Sequence, residues 1–243
     1  MNELQNACII QARMDSTRLP GKSLIEVYEG FSLLEIIFSR IKKAKNIDII
    51  ILATSYKKNC DPLADLAGRM DVSVVRGSET DVLDRFAKAI DIYHPESIVR
   101  VCADNPLVSP EEIDRLVEFY RKEDLDYATN SARQCGLPDG LGSEIVKASV
   151  LKKISDSTEV QKYREHVTLY IIEHKEKFRV GQLHALPNLF FPEARLDIDT
   201  QKDLENMKLF LSQLPREKAP FWSSQDIVNL SKQLLPTMKD CVS

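Results

Sequence analysis

Two kinds of hydrophobic pattern alternate along the first half of this chain. Short apolar runs rich in β-branched residues predict strands covered on both faces, and longer segments with apolar residues every three or four positions predict amphipathic helices. Because each strand is followed by a helix through a short connection, the pattern predicts an α/β fold in three layers around a mostly parallel, doubly wound sheet. The expected strands are 7–10, 47–53, 72–75, 97–103 and 126–129, with a further extended piece at 24–27.

The helices of this first half begin at capping signals. Ser32 precedes an apolar-periodic segment and Glu35 follows three residues later, which is the pattern of a capping box. Ser109 followed by Pro110 is a second strong start signal. The expected helices are 32–45, 61–70, 79–93 and 109–122.

The rhythm changes after residue 130. An irregular stretch at 131–141 comes first, and one long helix at 161–178 is the most prominent element after it. We expect one domain over 1–243, in which 130–150 is an excursion, 214–218 a loose connection and 215–243 a helical tail. The other expected elements are strands at 144–147, 179–185 and 195–199 and helices at 149–155, 200–214 and 223–235.

The first predicted strand leads into a polar loop that carries three cations, Arg13, Arg18 and Lys22. Guanidinium and ammonium groups after a parallel strand are typical of a polyphosphate site. Gly21 and Lys22 resemble the end of a Walker A loop, but that motif needs a glycine five positions before Gly21, where Ser16 stands. The Walker A interpretation is therefore rejected, and the residues alone leave a solvated basic loop equally open.

Acidic residues lie at the end of one later predicted strand and within another. Asp104 ends the fourth predicted strand, and Asp197 and Asp199 lie two positions apart, so they share one face of a strand. Mg²⁺ prefers few carboxylates, with water and phosphate completing its coordination, so these side chains are candidate ligands. A turn before Pro106 is the commoner role for a residue such as Asp104, and a helix cap is the commoner role for Asp199.

Three polar clusters, at 13–22, 76–80 and 104–105, follow predicted parallel strands. The carboxyl ends of such strands meet at one edge of the sheet, so we expect the clusters to converge there. His166 and His174 are eight residues apart, whereas a metal pair on one helix needs four, so a zinc site is not indicated. His166 is either a substrate contact or a surface residue.

The composition narrows the class of protein. With 33 basic and 37 acidic residues the formal net charge is −4, which counts against a general nucleic-acid surface. No apolar run approaches the ~20 residues that span a bilayer, and we expect no secretory signal. The five cysteines form no CxxC pair, so neither a zinc site nor a disulfide framework is indicated. A reduced, cytoplasmic protein that binds neither nucleic acid nor membrane is expected.

Five motifs in order resemble the sugar-acid cytidylyltransferases, the family that makes CMP-activated 3-deoxy-manno-octulosonate and neuraminate. Residues 13–22 match the signature R-x-x-S-x-R-x-P-x-K of that family. The segments 76–85, 102–108, 164–168 and 195–200 resemble the branch associated with spore coat polysaccharide biosynthesis. The resemblance spans about residues 7 to 210 and implies a Rossmann-like, GT-A-like nucleotidyltransferase domain.

The resemblance implies a CTP-dependent enzyme that needs Mg²⁺, transfers CMP to a small-molecule acceptor and releases pyrophosphate. It places Arg13, Arg18 and Lys22 on the CTP phosphates as the catalytic cations, and Mg²⁺ on Asp104, Asp197 and Asp199. It further implies a nucleotide site with Ala12, Ser16, Arg76, Ser78 and Asp81, and an acceptor site with Asp139, Glu144, Arg164 and His166. Family members are commonly homodimers, with the 130–150 excursion near the acceptor and the partner.

One departure leaves the acceptor open. The branch often reads D-G-L-D-V-E where this chain has D-G-L-G-S-E at 139–144. A sugar acid, a phosphorylated small alcohol, an amino acid and a phosphonate are all candidate acceptors in surface polysaccharide or related metabolism. Two other classes of protein are weighed: a GT-A-like glycosyltransferase, against which the three cations count, and a non-catalytic nucleotide-binding subunit, against which the retained carboxylates count.

Overall fold

The computed structural model describes residues 4–239, with side chains up to residue 234, and its centre is a seven-stranded sheet. The strands are β1 (Asn6–Gln11), β2 (Glu26–Tyr28), β3 (Phe31–Ser32), β4 (Ile49–Ser55), β5 (Ser73–Gly77), β6 (Ser97–Cys102), β7 (Tyr127–Thr129), β8 (Glu144–Lys147) and β9 (Val180–Gln182). The order in the main sheet is β5-β4-β1-β6-β8-β7-β9, and β2 and β3 form a separate antiparallel pair.

Parallel pairing dominates the main sheet, as predicted. Strand β1 lies between β4 and β6 and is parallel to both, and β5 continues this parallel half. Strand β8 is antiparallel to β6 and β7, whereas the edge strand β9 is parallel to β7. Part of the predicted excursion at 130–150 is therefore a strand in the middle of the sheet.

Helices cover both faces of the sheet. They are α1 (Leu33–Ile41), α2 (Asp61–Arg69), α3 (Val82–Tyr93), α4 (Pro110–Lys122), α5 (Ala148–Ser157), α6 (Gln161–Glu165), α7 (Leu169–Glu173), α8 (Gln201–Ser212) and α9 (Ser224–Lys239). The predicted capping box of α1 is present, with the Glu35 carboxylate accepting from the Ser32 amide at 2.7 Å. A second box, Thr200 with Asp203, caps α8, so Asp199 is not the cap of that helix.

Residues 7–10 of β1 are all apolar because both faces of the strand are covered. Cys8 and Ile10 belong to a buried cluster that includes Phe38 of α1, and Ile9 belongs to a second cluster that includes Phe86 of α3. Alternate residues of one strand therefore supply two separate cores. This arrangement confirms the three-layer α/β architecture.

The prediction of one long helix at 161–178 is wrong. The structure divides it into α6, α7 and a final 3₁₀ turn, and the chain changes direction at His166. Val167 is buried in the core there, and Thr168 donates its hydroxyl to Glu144 at 3.1 Å. These tertiary contacts outweigh the local helical pattern, which two adjacent β-branched residues already weaken.

The prediction of a strand at 195–199 is also wrong. This segment is extended but lies outside the ladders of the sheet. The amides of Leu196 and Ile198 instead donate to the carbonyls of Asp139 and Asp104, at 2.9 Å each. The segment therefore fastens two loops to each other.

Smaller boundaries also shift. The extended piece predicted at 24–27 begins as a 3₁₀ turn at Lys22–Leu24 and becomes β2 at Glu26. Residues 76–77, predicted as a loop, are the end of β5, and the loose connection at 214–218 contains a 3₁₀ turn. The amphipathic tail predicted at 223–235 is confirmed as α9. Within residues 4–239 no helix combines the length and apolar character that crossing a bilayer requires.

Arg40 is a buried guanidinium that ties the C-terminal region to the core. It lies on α1 and is 1% exposed. It donates to the carbonyls of Val108 and Pro220 at 2.8 Å and of Trp222 at 3.0 Å. Burial lowers the pKa of Arg40 to about 10, so the side chain still carries its charge at neutral pH.

We expect Arg40→Met to lower the free energy of unfolding by about 3 kcal/mol, because buried carbonyls lose a charged donor. Arg69→Met is the matched control, since Arg69 is exposed on α2 and makes no side-chain hydrogen bond or ion pair within the described residues. The control should change the free energy by less than about 0.5 kcal/mol. Urea unfolding measures both variants, and equal losses would contradict the assignment.

Candidate active site

A cavity of about 330 Å³ opens at the carboxyl ends of β1 and β6. This is the edge at which open parallel sheets bind their ligands. The loop after β1, the first turn of α3, the end of β6, the end of α6 and the segment before α8 all contribute to its walls. The lining includes Gln11, Ala12, Arg13, Ser16, Arg18, Lys22, Arg85, Cys102, Asp104, Glu165, His166 and Asp199.

Backbone hydrogen bonds and one glycine fix the loop after β1, residues 12–22, which we call the cation loop. The amides of Ser16 and Gly21 both donate to the carbonyl of Met14, at 3.0 and 2.9 Å. Gly21 has a φ of 69°, in the left-handed region that favours glycine. The tight turn leads directly to Lys22, whose side chain lines the cavity.

Lys22 joins two carboxylates from distant parts of the chain. Its Nζ lies 3.3 Å from Asp104 Oδ2 and 3.2 Å from Asp199 Oδ1, and it donates to the carbonyl of Ile198 at 2.8 Å. Arg18 pairs with the other oxygen of Asp199 at 2.9 Å. Two of the predicted cations and two of the predicted metal carboxylates therefore meet at one end of the cavity.

Asp197 lies apart from this cluster. Arg195 holds both of its carboxylate oxygens at 2.7 Å, and Asp197 does not line the cavity. Arg195 also reaches Asp199 Oδ2, at 3.2 Å. The geometry therefore favours Asp199 over Asp197 as the partner of Asp104.

Arg85 is a cavity residue that the sequence analysis did not single out. It is 2% exposed, and it donates to the carbonyls of Ser78 and Glu79. Its buried Nε makes no hydrogen bond, and burial lowers the pKa of Arg85. Arg13 donates to the same Glu79 carbonyl at 3.2 Å. The available signal was the position of Arg85 at the end of the motif 76–85.

Three residues predicted for the nucleotide site do not line the cavity. Arg76 pairs with Asp61 at 2.7 Å. The Ser78 hydroxyl accepts from the amide of Asp81 at 3.2 Å, and the Asp81 carboxylate caps α3 by accepting from the amide of Asp84 at 2.8 Å. Ser78 and Asp81 shape the start of α3, and direct contact of these three with a nucleotide stays a prediction.

Asp81 also pairs with Arg164, which was predicted for the acceptor site. Arg164 Nε and Nη2 lie 2.8 and 2.6 Å from Asp81 Oδ2. Nη1 of Arg164 donates to the carbonyls of Ser155 and Thr158, at 2.6 and 3.3 Å. These contacts hold α6 against α3, and His166 at the end of α6 lines the cavity.

Glu144, a second predicted acceptor contact, is buried in a polar network. It accepts from the hydroxyls of Tyr127 and Thr168 and pairs with Arg100. Burial and the neighbouring Glu144 raise the pKa of Tyr127, so the phenol keeps its proton. Arg100 also donates to Gln11 at 3.1 Å, and Gln11 lines the cavity. In this structure Glu144 reaches the cavity only through other side chains.

A second cavity, of about 250 Å³, is lined by Arg133, Asp139 and Arg195. Arg195 connects it to the first cavity, because the same guanidinium reaches Asp199. Partial desolvation and the nearby Asp197 raise the pKa of the Asp139 carboxyl. Among the side chains of residues 4–234, the Arg133 guanidinium has no hydrogen-bond or ion-pair partner.

The carboxylates of the first cavity fit a hard divalent cation. Within the described part of the chain no group of three or more His, Cys, Asp and Glu side chains is arranged to hold a metal ion. Asp104 and Asp199 form a two-carboxylate arrangement beside the cation loop. Mg²⁺ is commonly held in this way, by one or two carboxylates together with substrate phosphates.

The family model described as Cytidylyltransferase matches residues 7–227. This span contains the cation loop, both carboxylates of the cluster and α6. The chain belongs to the cytidylyltransferase family. It is therefore a nucleotidyltransferase that uses CTP, and enzymes of this family generally use a divalent metal ion. The family and the enzyme class predicted from the sequence are confirmed.

Individual proteins agree with this assignment. The spore coat polysaccharide biosynthesis protein SpsF of Bacillus subtilis is 40% identical over 207 residues, which cover 82% of this cytidylyltransferase and 83% of SpsF. The structure of a cytidylyltransferase from Leptospira borgpetersenii matches with a TM-score of 0.84 and 28% identity, over 97% of this chain and 96% of that one. A CMP:2-keto-3-deoxy-manno-octonic acid synthetase complexed with CTP has a TM-score of 0.64 over 86% and 99% of the two chains, and its 16% identity shows the fold alone.

The Asp81–Arg164 pair should contribute measurably to the stability of the cytidylyltransferase. In a double-mutant cycle with Asp81→Asn and Arg164→Met, we expect a coupling free energy of about 1–3 kcal/mol, because both side chains are largely shielded from water. Lys152→Met with Asp91→Asn is the control cycle, since that pair is more exposed and should couple by less than about 1 kcal/mol. Urea unfolding measures both cycles, and a coupling near zero for the first would contradict the role given to Arg164.

Proposed function

We propose that this cytidylyltransferase transfers CMP from CTP to an acidic or phosphorylated acceptor in surface polysaccharide biosynthesis and releases pyrophosphate. One observation carries the proposal: Arg18 and Lys22 of the cation loop meet Asp104 and Asp199 at one end of a 330 Å³ cavity. The cations can bind the oxygens of a polyphosphate, and the carboxylates can coordinate a divalent metal ion.

In the proposed reaction an acceptor oxygen attacks the α-phosphorus of CTP. A new O–P bond forms, the bond from the α-phosphorus to the oxygen that bridges to the β-phosphate breaks, and pyrophosphate leaves with that oxygen. A proton from an acceptor hydroxyl passes to solvent. Arg13, Arg18 and Lys22 hold the triphosphate and stabilise the charge that develops on pyrophosphate, so positioning and charge stabilisation supply the catalysis.

We further propose that Asp104 and Asp199 hold Mg²⁺. The pairing of Asp197 with Arg195 leaves Asp197 out of this set. When bound, the ion would supply Lewis-acid stabilisation of phosphate oxygens and lower the pKa of an acceptor hydroxyl. The extended segment before α8 keeps Asp199 opposite Asp104, because the Ile198 amide donates to the carbonyl of Asp104.

The remaining walls of the first cavity suit the nucleoside part of CTP. The Gln11 amide and the Arg85 guanidinium, with its unpartnered Nε, offer donors toward a base and a ribose. Ala12 and Ser16 are proposed nucleotide contacts from the cation loop. Ser78, Asp81 and the nearby Arg76 would act indirectly on the nucleotide site, by fixing the start of α3.

We propose that the acceptor lies between the two cavities. Arg133 would bind its anionic group, and the Asp139 carboxylate would accept from its hydroxyl groups. The position fits the reaction, since Arg195 of the second cavity touches Asp199 of the proposed metal site. His166, on the wall of the first cavity, would contact the reacting end of the acceptor. A sugar acid, with one carboxylate and several hydroxyls, matches this donor and acceptor set.

Similarity to a relative and the use of CTP support the proposed cellular role. The 40% identity to SpsF supports surface polysaccharide biosynthesis. The use of CTP and the free, unpaired state of the cysteines at positions 8, 60, 102 and 135 support a reduced, cytoplasmic location. A homodimer is proposed on the family resemblance.

Pyrophosphate release tests the proposed function. With Mg²⁺ and a panel of sugar acids, phosphorylated alcohols, amino acids and phosphonates, CTP should exceed ATP and GTP at least about tenfold for one acceptor. Arg18→Gln should lower kcat/KM about 100-fold, because it removes a donor to developing charge. Arg216→Gln is the control, because the exposed Arg216 side chain pairs with Glu29 and does not line the cavity. Release that is equal for all nucleotides, or absent with every acceptor, would refute the proposal.

The acceptor position has a separate test. Arg133→Gln should raise the KM for the acceptor about tenfold, the value expected for one lost charge-assisted hydrogen bond, and leave the KM for CTP unchanged. Steady-state kinetics at saturating concentrations of the other substrate separate the two constants. If the KM for CTP rises as much as that for the acceptor, Arg133 does not belong to the acceptor site.

A further inference from the structure

The ammonium group of Lys22 lies among three oxygen atoms. They are the Ile198 carbonyl at 2.8 Å, Asp199 Oδ1 at 3.2 Å and Asp104 Oδ2 at 3.3 Å. A lysine ammonium has three N–H donors, so all three are engaged. The side chain is only 13% exposed, which means that few water molecules share this environment.

The same three oxygens would suit a divalent metal ion. Two carboxylates from separate segments and one backbone carbonyl are hard oxygen ligands of the kind that Mg²⁺ and similar ions prefer. Lys22 and a metal ion cannot both occupy the space between Asp104 and Asp199. Repulsion between an ammonium group and a divalent ion also opposes their close approach.

We propose that the Lys22 ammonium holds the place of the divalent ion until CTP binds. The triphosphate would then draw the ammonium out of the oxygen cluster, and Asp104, Asp199 and the Ile198 carbonyl would be free to hold the ion. Metal and nucleotide would therefore bind with strong positive coupling, and the protein alone would bind the metal weakly. The inference rests on the proposed metal role of Asp104 and Asp199.

The proposed exchange needs a movement of the Lys22 side chain alone, because its backbone is held in place. Gly21 and the 3₁₀ turn at Lys22–Leu24 fix the main chain, so a rotation of the four-methylene stem suffices. Lys22 lines the same cavity as Arg13 and Arg18, which places its ammonium within the proposed phosphate site. Arg18 pairs with Oδ2 of Asp199. The negative charge of the triphosphate would attract this guanidinium as well.

The balance of charge explains why the metal alone would be disfavoured. The four cations Arg13, Arg18, Lys22 and Arg85 line the cavity together with three carboxylates, those of Asp104, Glu165 and Asp199, so a divalent ion would add to a small excess of positive charge. The triphosphate supplies the negative charge that compensates both the metal and the cations. By thermodynamic linkage, if the nucleotide raises the affinity of the protein for the metal, the metal raises the affinity for the nucleotide by the same factor.

Direct metal binding tests the proposal without CTP or acceptor. Mn²⁺ is titrated into the 243-residue protein at fixed pH and ionic strength, and free Mn²⁺ is measured by electron paramagnetic resonance. Lys22→Met should bind one Mn²⁺ at least tenfold more tightly than the wild type, because the competing ammonium is gone. Lys22→Arg, which keeps a cation, should stay close to the wild type.

Two further variants locate the effect. Lys57→Met removes a positive charge from the same edge of the sheet, where Lys57 pairs with Asp15 at 2.6 Å, and it should bind Mn²⁺ as the wild type does. Combining Lys22→Met with Asp199→Asn should abolish the gain, since one carboxylate of the cluster is lost. A gain that persists in the double variant would overturn the assignment of the site.

Melting temperatures provide a second measurement. Lys22→Met leaves Asp104 and Asp199 without their shared cation, so Mn²⁺ should raise the melting temperature of this variant more than that of the wild type. If Lys22→Met does not fold, Lys22→Gln, which keeps a hydrogen-bond donor, replaces it in both measurements. Wild-type binding as tight as that of the variant, or equal shifts in melting temperature, would overturn the proposal.

The outcomes separate this inference from the proposed function. Pyrophosphate release by the wild type, together with no gain of Mn²⁺ affinity in the Lys22 variants, would refute the place-holding role alone. A gain of Mn²⁺ affinity in Lys22→Met, with no pyrophosphate release for any acceptor, would refute the proposed reaction alone.

Discussion

The parallel pairing of β1 with both β4 and β6 is the constraint on which the site depends. The register places Gln11, the last residue of β1, opposite Ala53 on one side and Cys102 on the other. The cation loop begins immediately after Gln11, and Asp104 follows two residues after Cys102. The hydrogen-bond ladder thus brings the proposed phosphate-binding loop and a carboxylate to the same level of one sheet edge, although about ninety positions separate them in the sequence.

The parallel strands and the convergence of their ends could be predicted from the sequence, because the signals that identify each strand lie within its own residues. A continuous apolar run is the signature of a strand with two covered faces, and such strands bring their carboxyl ends together. The capping box at Ser32 and Glu35 was equally readable, since both hydrogen bonds join residues three positions apart. Distinguishing Asp199 from Asp197 was not possible in this way. It depends on Arg195, which holds Asp197, and on the bond between Ile198 and the Asp104 loop.

The errors arose where distant contacts override a local pattern. The break at His166 follows from the burial of Val167 and from the bond between Thr168 and Glu144, a residue more than twenty positions away. Glu144 itself was expected at the acceptor, but its neighbours Arg100 and Tyr127 bury it in a polar network. A buried carboxylate of this kind needs every one of its partners, because an unsatisfied charge in the interior is costly. Its connection to Gln11 through Arg100 links this network to the wall of the first cavity.

The site proposed for the triphosphate has opposing requirements for binding and for stability. Cations gathered around one cavity attract a triphosphate, and without an anion they repel each other. Asp104 and Asp199 reduce this repulsion by pairing with Lys22 and Arg18. The same carboxylates are the proposed ligands of a divalent metal, so the interaction that keeps the cation loop in place also fixes the spacing of these two carboxylates. In the proposed exchange the ion pairs change partners when substrate binds, so the cavity would be rigid before binding and would still release its cations to the phosphates.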